Sequence, residues 1–306
     1  MTDTLPYPIG TPGQPWGDAE VAAWRARVVR HRSYADDVLR AIEPLRQHFD
    51  VSEYGALDGD GERFPLLAVR SRGWREDLPT LVVTGGVHGY ETSGVHGALQ
   101  FLRDHGQETA GRANLLVVPC VSPWAYERVQ RWNFDALDPN RNFRAGSPVA
   151  ESAALVALLA PLRGRVLMHI DLHETTDSDE SEFQPALAAR DGEAFVPGTI
   201  PDGFYLVDDA EHPQPEFQRA VVDAVGQVTH IAPPDAHGQI IGCPLQSPGV
   251  ISFAVAQRGL CAAITGARFS TTTEVYPDSP RTTPQQCVEA QVTAVRAAIT
   301  FALSQT

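Results

Sequence analysis

Short apolar runs alternate with helix-period stretches from Leu81 onward, and this alternation constrains the fold of the 306-residue chain more than any other feature. Leu81-Val82-Val83 reads as a buried strand that breaks at Gly85-Gly86. Residues 91–105 then place Val95, Ala98, Leu99 and Leu102 at helical spacing. The same logic predicts strands over 114–120, 165–172, 203–207, 250–255 and 260–265. It predicts helices over 150–162, 215–228 and 283–303. Strands that alternate with helices imply a sheet covered on both faces. In such folds the loops leaving the carboxyl ends of the strands carry the chemistry.

Residues 1–15, rich in Pro and Gly, read as an irregular arm. Between Asp18 and His48 the apolar positions recur at helical spacing, as one long helix or two short ones broken near His31-Arg32-Ser33. Two β-like runs, 51–57 and 64–69, flank Asp58-Gly59-Asp60-Gly61, a hairpin signal. No composition break and no internal repeat appear. Residues 1–306 are therefore expected to form one catalytic domain, with 1–75 packed on it as arm, helix and hairpin.

Charge excludes whole classes of partner. With 24 Lys+Arg against 38 Asp+Glu, a formal net charge of -14, the chain lacks the clustered positive charge that nucleic acid or an anionic lipid surface requires. No stretch approaches the ~18 consecutive apolar residues of a membrane span. Met1-Thr2-Asp3-Thr4-Leu5-Pro6 lacks the basic-then-apolar pattern of a secretory signal. Cys120, Cys243, Cys261 and Cys287 are scattered without a CxxC pair, as reduced thiols of a cytoplasmic protein would be.

Four segments carry candidate chemistry. The first, Gly85-Gly86-Val87-His88-Gly89-Tyr90-Glu91, places an imidazole and a carboxylate three residues apart in a glycine-rich turn after a strand; both groups are good zinc ligands. Alone, the pair also fits a loop histidine beside a helix-start glutamate. The second, His169-Ile170-Asp171-Leu172-His173, puts its three titratable residues on one strand face. Only His173 lies at the strand's carboxyl end, and Asp171 is placed to orient a ligand from behind. The third, Asp138-Pro139-Asn140-Arg141-Asn142-Phe143, offers a fork of donors suited to a carboxylate, with Arg131 upstream. The fourth, Thr272-Thr273-Glu274-Val275-Tyr276, holds one acid about eight residues past the expected strand around 262–265.

Taken together, in this order, the segments resemble the zinc carboxypeptidases of the carboxypeptidase A type and their relatives, the succinylglutamate desuccinylases and aspartoacylases. The resemblance runs from about Leu81 to Tyr276, and the Asp-x-Asn-Arg-Asn-Phe and Asp-Leu-His strings are its most specific parts. It implies a three-layer αβα sandwich with a mixed, mostly parallel central sheet. It implies one zinc ion per chain on His88, Glu91 and His173, with Asp138 accepting the outer N–H of a liganding histidine. Asn140 and Arg141 would grip a free carboxylate, Arg131 would stabilise the oxyanion with Arg128 as rival, and Glu274 would be the general base for a zinc-activated water. The family's tyrosine over the substrate has two candidates, Tyr205 and Tyr276.

The implied reaction is hydrolysis of a peptide bond next to a free carboxylate, on a small peptide substrate. The alternatives are an N-acyl amino-acid deacylase using the same residues, a murein-peptide amidase, a dinuclear aminopeptidase and a non-catalytic metal-dependent binding module. The acidic run Asp177-Ser178-Asp179-Glu180-Ser181-Glu182 reads first as a solvated loop, and second as a negative wall for substrates carrying an amine. Oligomeric state leaves no mark on the sequence.

Overall fold

The structure, a computed structural model, describes residues 7–306. The start of the arm, Met1 to Pro6, lies outside the described residues. The rest of the arm packs rather than dangles: the Tyr7 hydroxyl donates to Glu182 Oε1 at 2.9 Å and the Trp16 N–H to the Arg190 carbonyl at 2.8 Å. The helical region after it breaks as expected, into α1 (Asp18–Arg25) and an irregular helical segment over 35–47. Next comes the hairpin of β1 (Phe49–Gly59) and β2 (Glu62–Ser71), paired antiparallel. Its two-residue turn uses Asp60 and Gly61, both at positive φ (53° and 77°), the conformation that matches the twist of paired strands.

The alternating region follows: β3 (Thr80–Gly85), α2 (Thr92–Asp104), β4 (Asn114–Val118), α3 (Pro123–Arg128), α4 (Ala150–Leu159), β5 (Val166–Glu174), α5 (Gln184–Asp191), β6 (Tyr205–Asp209) and α6 (Pro215–Val225). A small hairpin of β7 (Gln239–Ile240) and β8 (Cys243–Pro244) precedes β9 (Val250–Phe253), β10 (Phe269–Val275) and the closing α7 (Pro284–Ser304). Eight strands form one sheet in the order β1-β2-β4-β3-β5-β10-β6-β9. Its centre, β4-β3-β5-β10, is parallel, and the β6-β9 pair is parallel within itself; β6 runs antiparallel to β10. The fold is thus a mixed, mostly parallel sheet between helical layers.

Period-2 alternation divides the core. Leu81, Val83, Leu115, Val117, Met168, Ile170 and Leu172 pack in the large cluster that contains residues of α2, α6 and α7. Val82, Leu116 and Val118 face the other way, against Leu155 and Leu159 of α4, and a register irregularity at the start of β5 puts Val166 with them. His169, Asp171 and His173 take the face opposite Ile170 and Leu172.

Two expectations need correction. Residues 260–265 are not a strand: they hold a short 3₁₀ turn, Cys261–Ala263, between Gly259 and Gly266, both at positive φ (65° and 60°). The strand lies just after, in β10, where the run Thr271-Thr272-Thr273 supplies β-branched side chains suited to a pleated surface. Glu274 is therefore on a central strand rather than in a loop beyond one. The acidic run is not a plain loop either: 179–183 is helical and leads into α5. No helix among the described residues is long and apolar enough to cross a membrane. All four cysteines are free thiols.

Candidate active site

The site forms at the carboxyl ends of β3, β5 and β10. After β3 the chain reverses through Gly86 (φ 61°) and reaches Gly89, where a Cβ would lie 1.9 Å from the Ala125 carbonyl carbon of α3. Only glycine permits that approach. The Gly89 and Tyr90 N–H groups both donate to the Gln130 carbonyl, at 2.9 and 3.2 Å, which fixes the turn. His88 and Glu91, at the N-terminus of α2, thereby point to one place. On β5 the same place is met by His173. In the parallel pairing of β10 with β5, Glu274 lies directly opposite His173.

His88, Glu91 and His173 converge, with candidate ligand atoms all within 4.8 Å of one another, and all three are buried. His88 Nδ1 lies 2.6 Å from Glu91 Oε1, and His173 Nδ1 lies 2.7 Å from Glu91 Oε2. The outer nitrogens meet carboxylates: His88 Nε2 to Asp138 Oδ1 at 3.0 Å and His173 Nε2 to Asp171 Oδ2 at 2.7 Å. Asp171 Oδ1 accepts the Thr84 hydroxyl at 2.6 Å, and Thr84 Oγ1 is 3.1 Å from His169 Nε2. The strand-face trio is thus one buried polar chain. Burial opposes ionisation of Glu91, yet His173 and His88 hold its carboxyl well below the usual range.

This arrangement fits a cation. If each imidazole donates its Nε2 proton to Asp138 or Asp171, its Nδ1 presents a lone pair to an oxygen of Glu91. Acceptor would then face acceptor, and Glu91 Oε2 indeed finds no hydrogen bond of acceptable geometry. A metal ion satisfies all three atoms, and a His₂Glu donor set with one open side is the chemistry of a hydrolytic zinc site.

The cluster opens onto a cavity of about 670 Å³ whose walls include Arg131, Asn140, Arg141, Tyr205 and Glu274. Arg131 is held from behind: its Nε donates to Asp138 Oδ2 at 3.1 Å, and its Nη1 to the Tyr90 hydroxyl at 3.1 Å and Asp179 Oδ1 at 3.4 Å. Its rival Arg128 is buried elsewhere, paired with Asp60 at 2.8 Å and stacked on Trp124. Arg141 donates to the Asn140 carbonyl at 2.7 Å and has no ion pair among the described residues. Asn140 spends its Oδ1 on the Cys261 N–H at 2.8 Å and keeps its Nδ2 within 3.4 Å of His173 Nε2, so it braces the turn as well as facing the cavity. Glu274 Oε2 accepts the Thr175 hydroxyl at 3.0 Å, and Tyr205 continues that chain at 2.8 Å. Desolvation pushes the Glu274 carboxyl up to about 8. Tyr276 bonds Asp177 and stays off the cavity wall.

The sequence reading assigned nothing to Tyr90, Thr175, Thr272 or Arg258, which also line the cavity. Tyr90 stacks on His88 at 6.0 Å between ring centres and donates its hydroxyl to Asp179 at 2.8 Å. Its position inside the His88–Glu91 spacing was the available signal. The acids of 177–182 are spent internally. Asp179 holds Tyr90 and Arg131, Glu180 accepts the Gly198 N–H at 2.6 Å, and Asp177 accepts the Tyr276 hydroxyl.

Residues 77–194 match the family model of the succinylglutamate desuccinylase/aspartoacylase catalytic domain. Among solved structures, a proposed metallopeptidase of Shewanella amazonensis is 23% identical, with 90% of this chain and 98% of that one covered and a TM-score of 0.64. A metallo-carboxypeptidase of Pseudomonas aeruginosa, solved with (2-guanidinoethylmercapto)succinic acid, is 18% identical over 88% and 69% of the two chains, with a TM-score of 0.56. Bovine thrombin-activatable fibrinolysis inhibitor is 13% identical over 96% and 99%, with a TM-score of 0.58. No curated protein matches the sequence. At these identities the structures speak for the fold, which is carboxypeptidase-like. The family match adds the desuccinylase/aspartoacylase relatives over the segment that holds His88, Glu91, Asp138 to Arg141 and His173.

Proposed function

We propose that this chain is a zinc-dependent hydrolase that cleaves an amide bond next to a free carboxylate, as a metallocarboxypeptidase does, with residues 1–306 as one catalytic domain. One observation carries the reading. A His₂Glu donor set, a carboxylate on the adjoining strand and a guanidinium without an acidic partner meet at one cavity. His88, Glu91 and His173 would hold the metal. When bound there, zinc supplies Lewis acidity, which lowers the pKa of water to about 7 and polarises a carbonyl.

The protein's own groups do the rest. Glu274, on β10 opposite His173, takes the proton from water and passes it to the leaving nitrogen. The Thr175 hydroxyl fixes the orientation of that carboxylate. Arg141 binds the substrate carboxylate and so sets which amide bond reaches the cluster. Arg131, anchored by Asp138 and Asp179, presents positive charge where the oxyanion develops.

A second reading, an N-acyl amino-acid deacylase, is favoured by the family match over 77–194. The same side chains serve it, and only the acyl half of the substrate differs. Metal analysis with a panel of dipeptides and N-acyl amino acids, with and without chelator, tests both. The expected result is one zinc per chain and hydrolysis abolished by chelation and by His173→Ala. Turnover that survives both treatments sinks the zinc assignment.

A further inference from the structure

The described part of the N-terminal arm, residues 7–17, lies outside the segment 77–194 that matches the family model, yet it reaches both supports of Arg131. One support is at the guanidinium, which donates to Asp138, Tyr90 and Asp179. Asp179 opens the helical segment 179–183, and Phe183 at the end of that segment packs on Tyr90 at 4.6 Å between ring centres. The other support is at the backbone, which continues from Arg131 into Trp132, 2% exposed.

The arm meets each support with a separate side chain. Tyr7, itself buried, donates its hydroxyl to Glu182 Oε1 at 2.9 Å, three residues on from Asp179 in the same helical segment. The Trp16 ring stands edge-on to Trp132, 6.0 Å between centres and 89° between planes. The Tyr7 and Trp16 rings lie 5.8 Å apart, so the arm closes on itself as one unit. Helix α5 ties that unit down. The Trp16 N–H donates to the Arg190 carbonyl at 2.8 Å, and a Cβ on Gly192 would lie 2.7 Å from the Pro15 nitrogen. The Arg190 guanidinium carbon in turn lies 4.8 Å from the centre of the Trp132 ring, and Trp24 packs on that ring at 5.7 Å. Aromatic contacts of this kind are directional, so Trp16 limits the orientations open to Trp132. An arginine side chain has many rotamers, and one aimed at a single point needs both its backbone and its partners fixed.

We infer that Tyr7 and Trp16 are positioning residues for Arg131. The arm is a strap that fixes the guanidinium from two sides, Tyr7 through Glu182 and segment 179–183, Trp16 through Trp132. What Arg131 then does rests on the hydrolase reading above; the strap adds to that site an element from outside the sheet.

The test uses the full zinc-loaded chain on dipeptides and N-acyl amino acids. Tyr7→Phe combined with Trp16→Leu should lower kcat roughly tenfold, with KM little changed. Zinc affinity in chelator competition should stay at the wild-type value, because neither residue touches the ligand cluster. In an Arg131→Ala background the same two substitutions should cost nothing further, since their effect passes through the guanidinium. Modification of Arg131 by phenylglyoxal, followed by peptide mass spectrometry, reads the guanidinium without turnover and should run several-fold faster in the double variant. Should the double variant fail to fold, Tyr7→Phe alone deletes only a hydroxyl and should move kcat and the modification rate the same way, by roughly twofold or more. A kcat equal to wild type, or a loss that persists in full in the Arg131→Ala background, overturns the inference. If the wild type hydrolyses nothing, the hydrolase reading fails and the modification rate still decides: equal rates in wild type and variant overturn the strap, and a faster rate in the variant upholds it.

Discussion

Replacing Glu151 by Gln should remove a pH dependence of stability that the fold builds into the loop bearing Asp138. Glu151 is 2% exposed in the first turn of α4, and its Oε2 accepts from Asn133 Nδ2 at 3.4 Å. Asn133 Oδ1 in turn accepts the N–H groups of Asp135 and Leu137, both at 3.0 Å, so this pair braces the approach to Asp138. Burial pushes the Glu151 carboxyl from 4.5 up to about 7. A raised folded-state value means that the folded protein holds a proton which the unfolded chain has already lost. The stabilisation is therefore complete below about 4.5 and disappears as pH rises through about 7. At about 1.4 kcal/mol per unit, the loss between pH 5 and 8 comes to roughly 2 to 3 kcal/mol. The positive end of α4 favours the ionised form and offsets on the order of 0.5 kcal/mol of it. Urea unfolding of wild type and Glu151→Gln at both pH values isolates this term, because other titrating groups cancel in the difference. The variant should gain about 2 kcal/mol on the wild type between pH 5 and 8. A stability difference that does not move with pH would show that Glu151 is ionised in the folded protein and refute the argument.

Three further outcomes are expected. Glu274→Gln should lower kcat roughly 100-fold or more while zinc stays at one per chain; near-native turnover removes Glu274 from the chemistry. Asp171→Asn, which leaves every proposed ligand in place, should weaken zinc binding roughly 10- to 100-fold in chelator competition, because it unseats the His173 ring. An unchanged affinity would mean that the contact orients nothing. Zinc at about 1,000 times its dissociation constant should stabilise the fold by about 4 kcal/mol over the metal-free chain; melting curves that coincide with and without zinc contradict the site.

How much of this was legible in the sequence depends on range. The His88–Glu91 spacing and the Asp138–Phe143 string are local, so a single pass along the chain finds them. The strand-face reading of His169, Asp171 and His173 also holds, because period-2 geometry is local. What could not be read is pairing across the sheet. Glu274 looked like an acid beyond a strand, because the apolar stretch before it competes with a run of threonines whose β preference needs a neighbouring strand to be realised. The spent state of Asp179 and Glu180 is equally invisible from composition, since their partners Tyr90, Arg131 and Gly198 lie far away in sequence. Arg258 is the sharpest case. An arginine in a Gln-Arg-Gly turn is normally solvated, and only the cavity shows which of its neighbours lack partners.

The placement of acid explains why a strongly acidic chain can hold so polar a centre. Glu91, Asp138, Asp171 and Glu174 are each less than a tenth exposed, and each solves its burial in a different way. Glu174 accepts the N–H groups of Thr92 and Ser93 at the start of α2, at 2.9 and 2.7 Å, yet burial still lifts its carboxyl to about 7. Asp138 has Arg131, and Asp171 has Thr84 and His173. Glu91 alone has only the two imidazole nitrogens that a metal would claim. Removing solvent from a carboxylate is expensive, and imidazoles that donate outward to aspartates would turn their inner lone pairs toward that same carboxylate. The outer carboxylates therefore do more than orient the rings. They favour the tautomer that would turn an electron-rich inner face toward Glu91, the face a bound cation would claim.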